Sequence, residues 1–249
     1  MELGQDYGKP EMMAAAIIRE IREGDVVFHG LASPTPMVAM KAAKALGKDF
    51  CYITLSNGID HDWSRAPYCA STLTENTYTG SVACLGLDSI FDLYCSGKGD
   101  IAFLSCLQMD KEGRIAMSYL GGDYDHPKLR GPGGAGSATL TPITPRTVIW
   151  KTGHDKRIFV ERVDFATTAP ALDKLFTVIT TLCIFRKQPG EKYLKLDCIF
   201  PYTTVEEVKE NTGWEIEETQ VPVMTPPTAE ELAAIRKVDI NNILAYEFK

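Results

Sequence analysis

Asp25-Val-Val-Phe-His29, Pro36-Met-Val-Ala-Met-Lys-Ala-Ala-Lys-Ala-Leu46 and Phe50-Cys-Tyr-Ile-Thr-Leu55 follow one another with short connections. The first and third are apolar runs of strand length, and the second carries apolar residues at helical spacing and is closed by Gly47. A strand, a helical spacer of about a dozen residues and a second strand imply a parallel pair, because a tight turn joins only antiparallel strands. Parallel strands are covered by helices on both faces. The expected fold is therefore α/β, a three-layer α/β/α arrangement around an open, mostly parallel sheet.

The neighbouring segments extend this alternation. Pro10 opens a helix with Met13, Ile17 and Ile21 on one face, ending at Gly24. Downstream, 64–82 is polar and aperiodic, a loop with room for one short element. Asp88 to Cys95 has a helical pattern stopped by Gly97. Ile101 to Cys106 is an expected strand, and the turn Asp110-Lys-Glu-Gly113 leads into Arg114 to Tyr119 as a hairpin. Thr147 to Trp150, Ile158 to Val160, Phe176 to Phe185 and Tyr193 to Phe200 are further expected strands, the last two joined at Gln188-Pro-Gly190. Thr203 or Thr204, with Glu206 or Glu207 three residues on, caps a helix ending near Gly213, and Thr228-Ala-Glu-Glu231 opens another through Arg236. No long linker or repeat divides the chain, so residues 1–249 are expected to form a single domain.

The net charge of −7, with no basic run longer than Lys156-Arg157, argues against a nucleic-acid surface. No apolar run reaches the roughly 18 residues of a membrane span, and the N-terminus lacks a signal-peptide pattern. The seven cysteines include no C-x-x-C pair, and most lie in apolar segments as small core residues of a reducing compartment, the cytoplasm.

One stretch stands apart, Gly121-Gly-Asp-Tyr-Asp-His-Pro-Lys-Leu-Arg-Gly-Pro-Gly-Gly-Ala-Gly-Ser137, with six glycines and two prolines. Crowded glycines let a ligand approach bare backbone N–H groups, and Asp123, Tyr124, His126, Lys128 and Arg130 add charge and hydrogen-bonding capacity beside them. Gly131, Gly133 and Gly136 match the dinucleotide spacing G-x-G-x-x-G. The polar, Pro127-bearing run before them is not the apolar strand that fingerprint requires, so a nicotinamide site is rejected. Walker A and G-x-S-x-G patterns are absent. Asp60-His61-Asp62 reads as a solvated loop, and no metal site is expected. Ser56-Asn57-Gly58 is either a plain strand-ending turn or part of the crevice that forms beyond parallel strands; His29 ends a strand at the same level.

Leu55-Ser-Asn-Gly58, Gly122-Asp-Tyr-Asp-His-Pro-Lys-Leu-Arg130, Gly133-Gly-Ala-Gly136 and Lys156-Arg-Ile-Phe-Val-Glu-Arg-Val-Asp164 together resemble the β-type subunit of family I CoA-transferases, the glutaconate CoA-transferase B branch in particular. The resemblance covers nearly the whole chain. It implies an enzyme subunit that pairs with an α-type chain as a heterodimer or heterotetramer and acts on an acyl-CoA. Coenzyme A then enters as part of the substrate, with no covalently bound cofactor.

In family transferases a glutamate two residues before the glycine matching Gly58 attacks the thioester. Ser56 stands there, and a serine ester is too weakly activated to return its acyl group to CoA. The chain is also similar to β subunits of CoA-dependent hydrolases that open a ring ketone in steroid breakdown, in which the essential carboxylate lies on the α-type partner. The resemblance thus implies hydrolytic C–C cleavage of a CoA thioester, with true CoA transfer and a non-catalytic, pocket-completing subunit as alternatives. On this reading Ser56, Asn57 and His29 are the catalytic-site residues. Gly58, Asp123, Tyr124, His126, Lys128, Arg130, Gly133, Gly134 and Ala135 bind substrate or CoA: the 133–135 backbone through its N–H groups, Arg130 and Lys128 by pairing a carboxylate or phosphate or by bracing the loop.

Overall fold

The computed structural model describes residues 4, 6–64 and 70–248. In chain order its elements are α1 (Lys9–Glu20), β1 (Val26–His29), α2 (Pro34–Ala45), β2 (Cys51–Ile53), β3 (Gly58–Ile59), β4 (Ala83–Cys84), α3 (Leu87–Cys95) and β5 (Ile101–Leu104). Next come β6 (Gln108–Met109), β7 (Ile115–Ala116), β8 (Tyr119–Gly122), β9 (Pro127–Arg130), α4 (Ala135–Ile143) and β10 (Arg146–Trp150). The rest are β11 (Leu175–Ile179), β12 (Cys183–Lys187), β13 (Lys195–Ile199), α5 (Val205–Asn211) and α6 (Ala229–Val238). They form two compact units, one from the chain up to Phe103 with the segment from Thr225 onward, the other Leu104–Met224.

In the first unit β1 lies between β2 and β5 and is parallel to both, pairing Val27 with Tyr52 and Phe28 with Ala102. The chain reaches β2 through α2 and later returns to the other side of β1 through α3. Right-handed crossovers in opposite directions place these two helices on opposite faces of the sheet. On the α3 face, the Tyr94 hydroxyl donates to Val26 O (3.2 Å) and Ile101 O (2.9 Å), fastening that helix to two strands. On the other face α1, α2 and α6 pack together. The apolar face read from the sequence is buried, with Met13, Ile17 and Ile21 at most 1% exposed. The strands β3 and β4 continue the sheet antiparallel. The expected α/β class, with helices on both faces of a mixed, mostly parallel sheet, is found.

The helix starts follow their capping chemistry. Thr228 Oγ1 accepts from Glu231 N–H (3.0 Å) while Glu231 Oε2 accepts from Thr228 N–H (2.8 Å) and pairs with Arg19 (2.7 Å). Thr228→Ala removes the cap from α6 and is expected to cost about 1 kcal/mol, read as a lower urea midpoint at unchanged slope. An unchanged midpoint would show that the Glu231–Arg19 pair holds this helix end alone.

In the second unit β10 and β11 are parallel, and β11, β12 and β13 are successively antiparallel. Three expectations change here. Phe176 to Phe185 is not one strand: it breaks at Thr180, whose Oγ1 accepts from Leu182 N–H (3.1 Å) and Cys183 N–H (3.2 Å) and turns the chain back. Ile158 to Val160 forms no strand; Phe159 makes only an isolated bridge to Met109, after a turn tied by the Asp155 carboxylate. The glycine-rich stretch is not a single loop. Tyr119 to Arg130 is the hairpin β8–β9, and the glycines after it lead into α4. The hairpin Asp110–Gly113 and the helices α3 and α5 lie where expected.

Cys106 and Cys183 are buried as expected, but Cys84 and Cys95 are exposed, because β4 is an edge strand and α3 turns Cys95 outward. Cys69, and with it residues 65–69 of the aperiodic stretch, lies outside the described residues. The remainder of that stretch contains one 3-10 turn, Glu75–Thr77. Among the described residues no helix is long and apolar enough to cross a membrane.

Candidate active site

The candidate residues fall in both units. In the first, β2 ends at Ile53 and the turn Thr54–Gly58 carries the chain into β3. Asn57 N–H donates to Thr54 O (3.1 Å), Thr54 N–H to Gly58 O (2.9 Å) and Gly58 N–H back to Thr54 Oγ1 (3.0 Å). Asn57 sits at φ +75°, a conformation that costs a non-glycine residue energy and that asparagine tolerates better than most. Gly58 is required for space. A Cβ there would lie 2.8 Å from both Thr77 O and Tyr78 Cα, and 2.6 Å from Ser81 Oγ.

Ser56 is half-buried, and its hydroxyl is held on two sides. It donates to Thr72 O (2.8 Å) and meets Thr77 Oγ1 at 2.7 Å, while Thr77 Oγ1 also reaches Thr74 O (2.6 Å). Thr54 Oγ1 donates to Thr77 O (2.9 Å), closing a network of Thr54, Ser56, Thr72 and Thr77. Thr72 additionally accepts Ala32 N–H on its Oγ1 (3.1 Å), which ties the loop after β1 to the turn after β2. No histidine or carboxylate hydrogen-bonds Ser56 among the described residues, so nothing there draws off its proton. A serine in this setting orders the turn and is not activated for attack. Thr72 and Thr77 were missed from the sequence. The only signal is the run of hydroxyl residues in Ser71-Thr-Leu-Thr-Glu-Asn-Thr77.

His29 is wholly buried, its ring near Phe28 and Tyr52 at centroid distances of 6.4 and 5.6 Å. Its Nδ1–H donates to Gly30 O (3.0 Å), and burial pulls its pKa down to about 4. It is therefore a neutral ring that fixes the backbone where β1 ends. Tyr52 also meets His61, whose pKa burial lowers to about 3. Asp60 accepts Tyr52 N–H (2.9 Å) and pairs with Lys44 (2.9 Å), so this carboxylate is engaged in structure.

In the second unit the β8–β9 hairpin carries Asp123, Tyr124, His126, Lys128 and Arg130. Asp123 Oδ1 accepts the N–H groups of Asp125 (3.0 Å) and His126 (2.7 Å), which makes it the organiser of the hairpin tip. Gly122 has φ +75°, and a Cβ there would lie 2.2 Å from His126 O. Arg130 donates to Tyr124 O (2.6 Å), and its guanidinium lies 5.0 Å from the Tyr124 ring and 5.9 Å from that of Tyr119. These contacts brace the hairpin, one of the two roles open for Arg130. Lys128, exposed, packs its stem beside Gly121. Asp164 Oδ2 accepts Gly121 N–H (2.9 Å), and Thr167 Oγ1 accepts from Met117 N–H and Ser118 N–H, supports the sequence did not reveal.

Gly134 caps the N-terminus of α4, and Ala135, its first residue, sits at φ +38°. The first N–H groups of a helix lack partners within it, and the helix dipole favours negative charge at that end. No parallel strand precedes these glycines, in keeping with the rejection of a dinucleotide fingerprint. Gly131 N–H donates to Ser118 O and Gly133 N–H to Met117 O, so these residues anchor the segment to β8 and its approach.

A family model for coenzyme A transferase matches residues 10–211. The chain belongs to the coenzyme A transferase family. It is 28% identical to the B subunit of the 3-oxoadipate CoA-transferase of Pseudomonas knackmussii, over 96% of each chain. It is 24% identical to the B subunit of the glutaconate CoA-transferase of Acidaminococcus fermentans, over 93% of this chain and 92% of that one. Among solved structures, the decarboxylase AibA/AibB matches with a TM-score of 0.89 at 27% identity, covering 97% of this chain and 99% of that one. Rhodococcus jostii RHA1 IpdAB shares the fold, with a TM-score of 0.80 at 20% identity over 98% of this chain and 100% of that one. The coenzyme A transferase fold thus holds Ser56 at a strand-end turn and a helix N-terminus at Gly134.

Proposed function

We propose that this chain is the β-type subunit of a heteromeric enzyme that breaks a C–C bond in an acyl-CoA by hydrolysis, with the general base supplied by an α-type partner. The observation that carries this reading is Ser56, whose hydroxyl is held by Thr72 O and Thr77 Oγ1 at the position where family transferases carry their glutamate. Without that carboxylate no mixed anhydride forms, so CoA cannot be passed to an acceptor acid by the family route.

The chemistry needs no acyl-enzyme. Water loses a proton to the partner's base and adds to a ketone carbonyl β to the thioester. The resulting alkoxide collapses, the bond between the ketone carbon and its neighbour breaks, and the electron pair passes to the thioester enolate. A proton then returns to carbon, leaving a carboxylic acid and a shortened acyl-CoA with its thioester intact. Oxyanion donors lower both barriers, and the N–H groups at Gly134 and Ala135 are this chain's candidates. Ser56 and Asn57 shape the strand-end turn of the first unit. His29 acts through the backbone it fixes.

A second reading is decarboxylation, favoured by the 27% identity and 0.89 TM-score to a decarboxylase. It generates the same thioester-stabilised carbanion, with CO2 leaving in place of a carboxylic acid. Supplying the heteromer with a 3-oxoacyl-CoA in 18O-labelled water is expected to put label into the released acid. Ser56→Ala is expected to keep the rate within about tenfold, the scale of one lost hydrogen bond. Turnover of a 2-carboxyacyl-CoA to CO2 and the shortened acyl-CoA, with none of the 3-oxoacyl-CoA, would favour the second reading, and acceptor-dependent exchange of CoA would sink both.

A further inference from the structure

Ala135 opens α4 at φ +38°, in the left-handed region that costs a non-glycine residue energy and persists only where its surroundings enforce it. Its neighbours show the means. Gly131 N–H donates to Ser118 O (2.9 Å) and Gly133 N–H to Met117 O (3.0 Å), while Pro132 between them has no N–H to place. Two consecutive carbonyls, at 117 and 118, therefore fix the approach to the helix. The N–H groups of the same two residues converge on one atom. Thr167 Oγ1 accepts Met117 N–H (2.9 Å) and Ser118 N–H (3.0 Å). Both lone pairs of that hydroxyl are then taken, so its own hydrogen goes to Ser118 Oγ (2.9 Å).

The methyl of Thr167 reaches the helix start directly. A Cβ on Gly134 would lie 2.9 Å from Thr167 Cγ2, so the two residues pack with no room for a side chain between them. Thr167 is itself anchored: its N–H donates to Ile115 O (2.8 Å), Ile115 N–H donates to Thr168 O (2.8 Å), and Ile115 is wholly buried. Threonine alone carries a hydroxyl and a methyl on one Cβ, and both are used here. Because α4 has no side-chain cap, its first turn takes its position from these anchors. We propose that Thr167 is a positioning residue for the candidate oxyanion site, holding the N–H groups of Gly134 and Ala135 in place through Met117, Ser118 and its own methyl. The inference rests on the role given to those N–H groups above. It applies to either reaction, since hydrolytic C–C cleavage and decarboxylation both pass negative charge to the thioester oxygen. Donors serve that oxygen only where they are held in line with it, and a displacement of about 1 Å is worth roughly 100-fold in rate.

Thr167→Val keeps the methyl and the shape but leaves Met117 N–H, Ser118 N–H and Ser118 Oγ without this partner. Amide hydrogen exchange of the chain, read by mass spectrometry, is expected to speed up about tenfold or more in peptides covering 129–136 and to stay unchanged over β11 and β12. Kinetics use the heteromer with the α-type CoA-transferase subunit encoded in the same genome, on whichever of a 3-oxoacyl-CoA and a 2-carboxyacyl-CoA the wild type turns over. There kcat is expected to fall about 100-fold with KM within about threefold, because the weakened interaction is stronger in the transition state than in the bound substrate. Thr167→Ser restores the oxygen and is expected to bring kcat back to within about threefold. Should the valine variant fail to fold, Thr167→Cys, whose sulfur accepts weakly, takes its place with an expected loss of about tenfold. Unchanged exchange over 129–136 overturns the proposal. So does a wild-type kcat in the valine variant, or equal losses in the valine and serine variants, which would assign Thr167 to packing alone; in each case the reading of the reaction stands. A wild-type heteromer that turns over neither thioester overturns that reading, and the positioning role with it.

Discussion

Gly58→Ala is expected to destabilise the chain by about 3 kcal/mol and to lower the heteromer's kcat on the order of 100-fold at temperatures where it remains folded. The added methyl has no room. Ser81 Oγ, at 2.6 Å, is a side-chain tip and can swing aside, but Thr77 O and Tyr78 Cα, both at 2.8 Å, are backbone. Relief therefore requires the Thr77–Tyr78 segment to move away from β3. That movement lengthens the Thr54 Oγ1–Thr77 O bond and pulls the Thr77 hydroxyl from Ser56, so the backbone of the whole turn shifts, a larger effect than loss of the Ser56 hydroxyl alone. Differential scanning calorimetry and steady-state kinetics on one preparation separate the effects. A variant that melts with the wild type and keeps its kcat would show that the turn relaxes freely, and Ser56 would lose its claim to be held in place.

The turn's position was legible in the sequence, whereas its supports were not. The β1–α2–β2 succession announces itself because strand-length apolar runs alternate with a helical period closed by glycine. Parallel pairing then places residues 56–58 at the strand end where crevices form. Thr72 and Thr77 lie in an aperiodic polar segment, and which hydroxyl meets which carbonyl is decided by tertiary packing.

The glycine-rich stretch was misread for a related reason. Gly121, Gly122 and Pro127 are poor strand residues, and Gly136 and Pro142 are poor helix residues, so local propensity hides both β8–β9 and α4. The hairpin persists because Asp123 ties its tip from within while Asp164 and Thr167 tie β8 and its approach from outside. Thr180 hid its turn in another way, since threonine is a good strand former and only its hydroxyl, accepting two N–H groups, marks the reversal. Family resemblance located the candidate residues that propensity could not. The role of Asp123 as the tip organiser came from geometry alone.

Acid is expected to unfold this protein through three histidines. Burial lowers His29 and His154 to about 4 and His61 to about 3, from an ordinary value of 6.5. Above about pH 6.5 all three are neutral in folded and unfolded chains alike, and their contribution to stability is fully present. Below 6.5 the unfolded chain binds protons that the folded chain refuses, so stability falls with pH until each folded value is passed. The window therefore runs from 6.5 to about 4 for His29 and His154, and to about 3 for His61. Each histidine contributes a slope of about 1.4 kcal/mol per pH unit well inside its window, on the order of 3 kcal/mol when complete. Three together rival the whole stability of an ordinary domain, roughly 5–15 kcal/mol.

His154 shows why the proton is refused. Thr212 Oγ1 donates to Val208 O (2.7 Å), so it accepts from His154 Nε2–H (3.0 Å). Nδ1 is then the acceptor for the Thr180 hydroxyl (2.8 Å), and protonating it removes that acceptor and turns the hydroxyl to the longer bond with Cys183 O (3.2 Å) at the β11–β12 turn. Urea titrations at pH 7.5, 5.5 and 4.5 should show stability declining at each step. His154→Gln should start lower at pH 7.5 and decline less steeply by about 1.4 kcal/mol per unit. An unchanged slope in that variant would mean that the proton uptake belongs to other groups, and that His154 is already charged in its pocket.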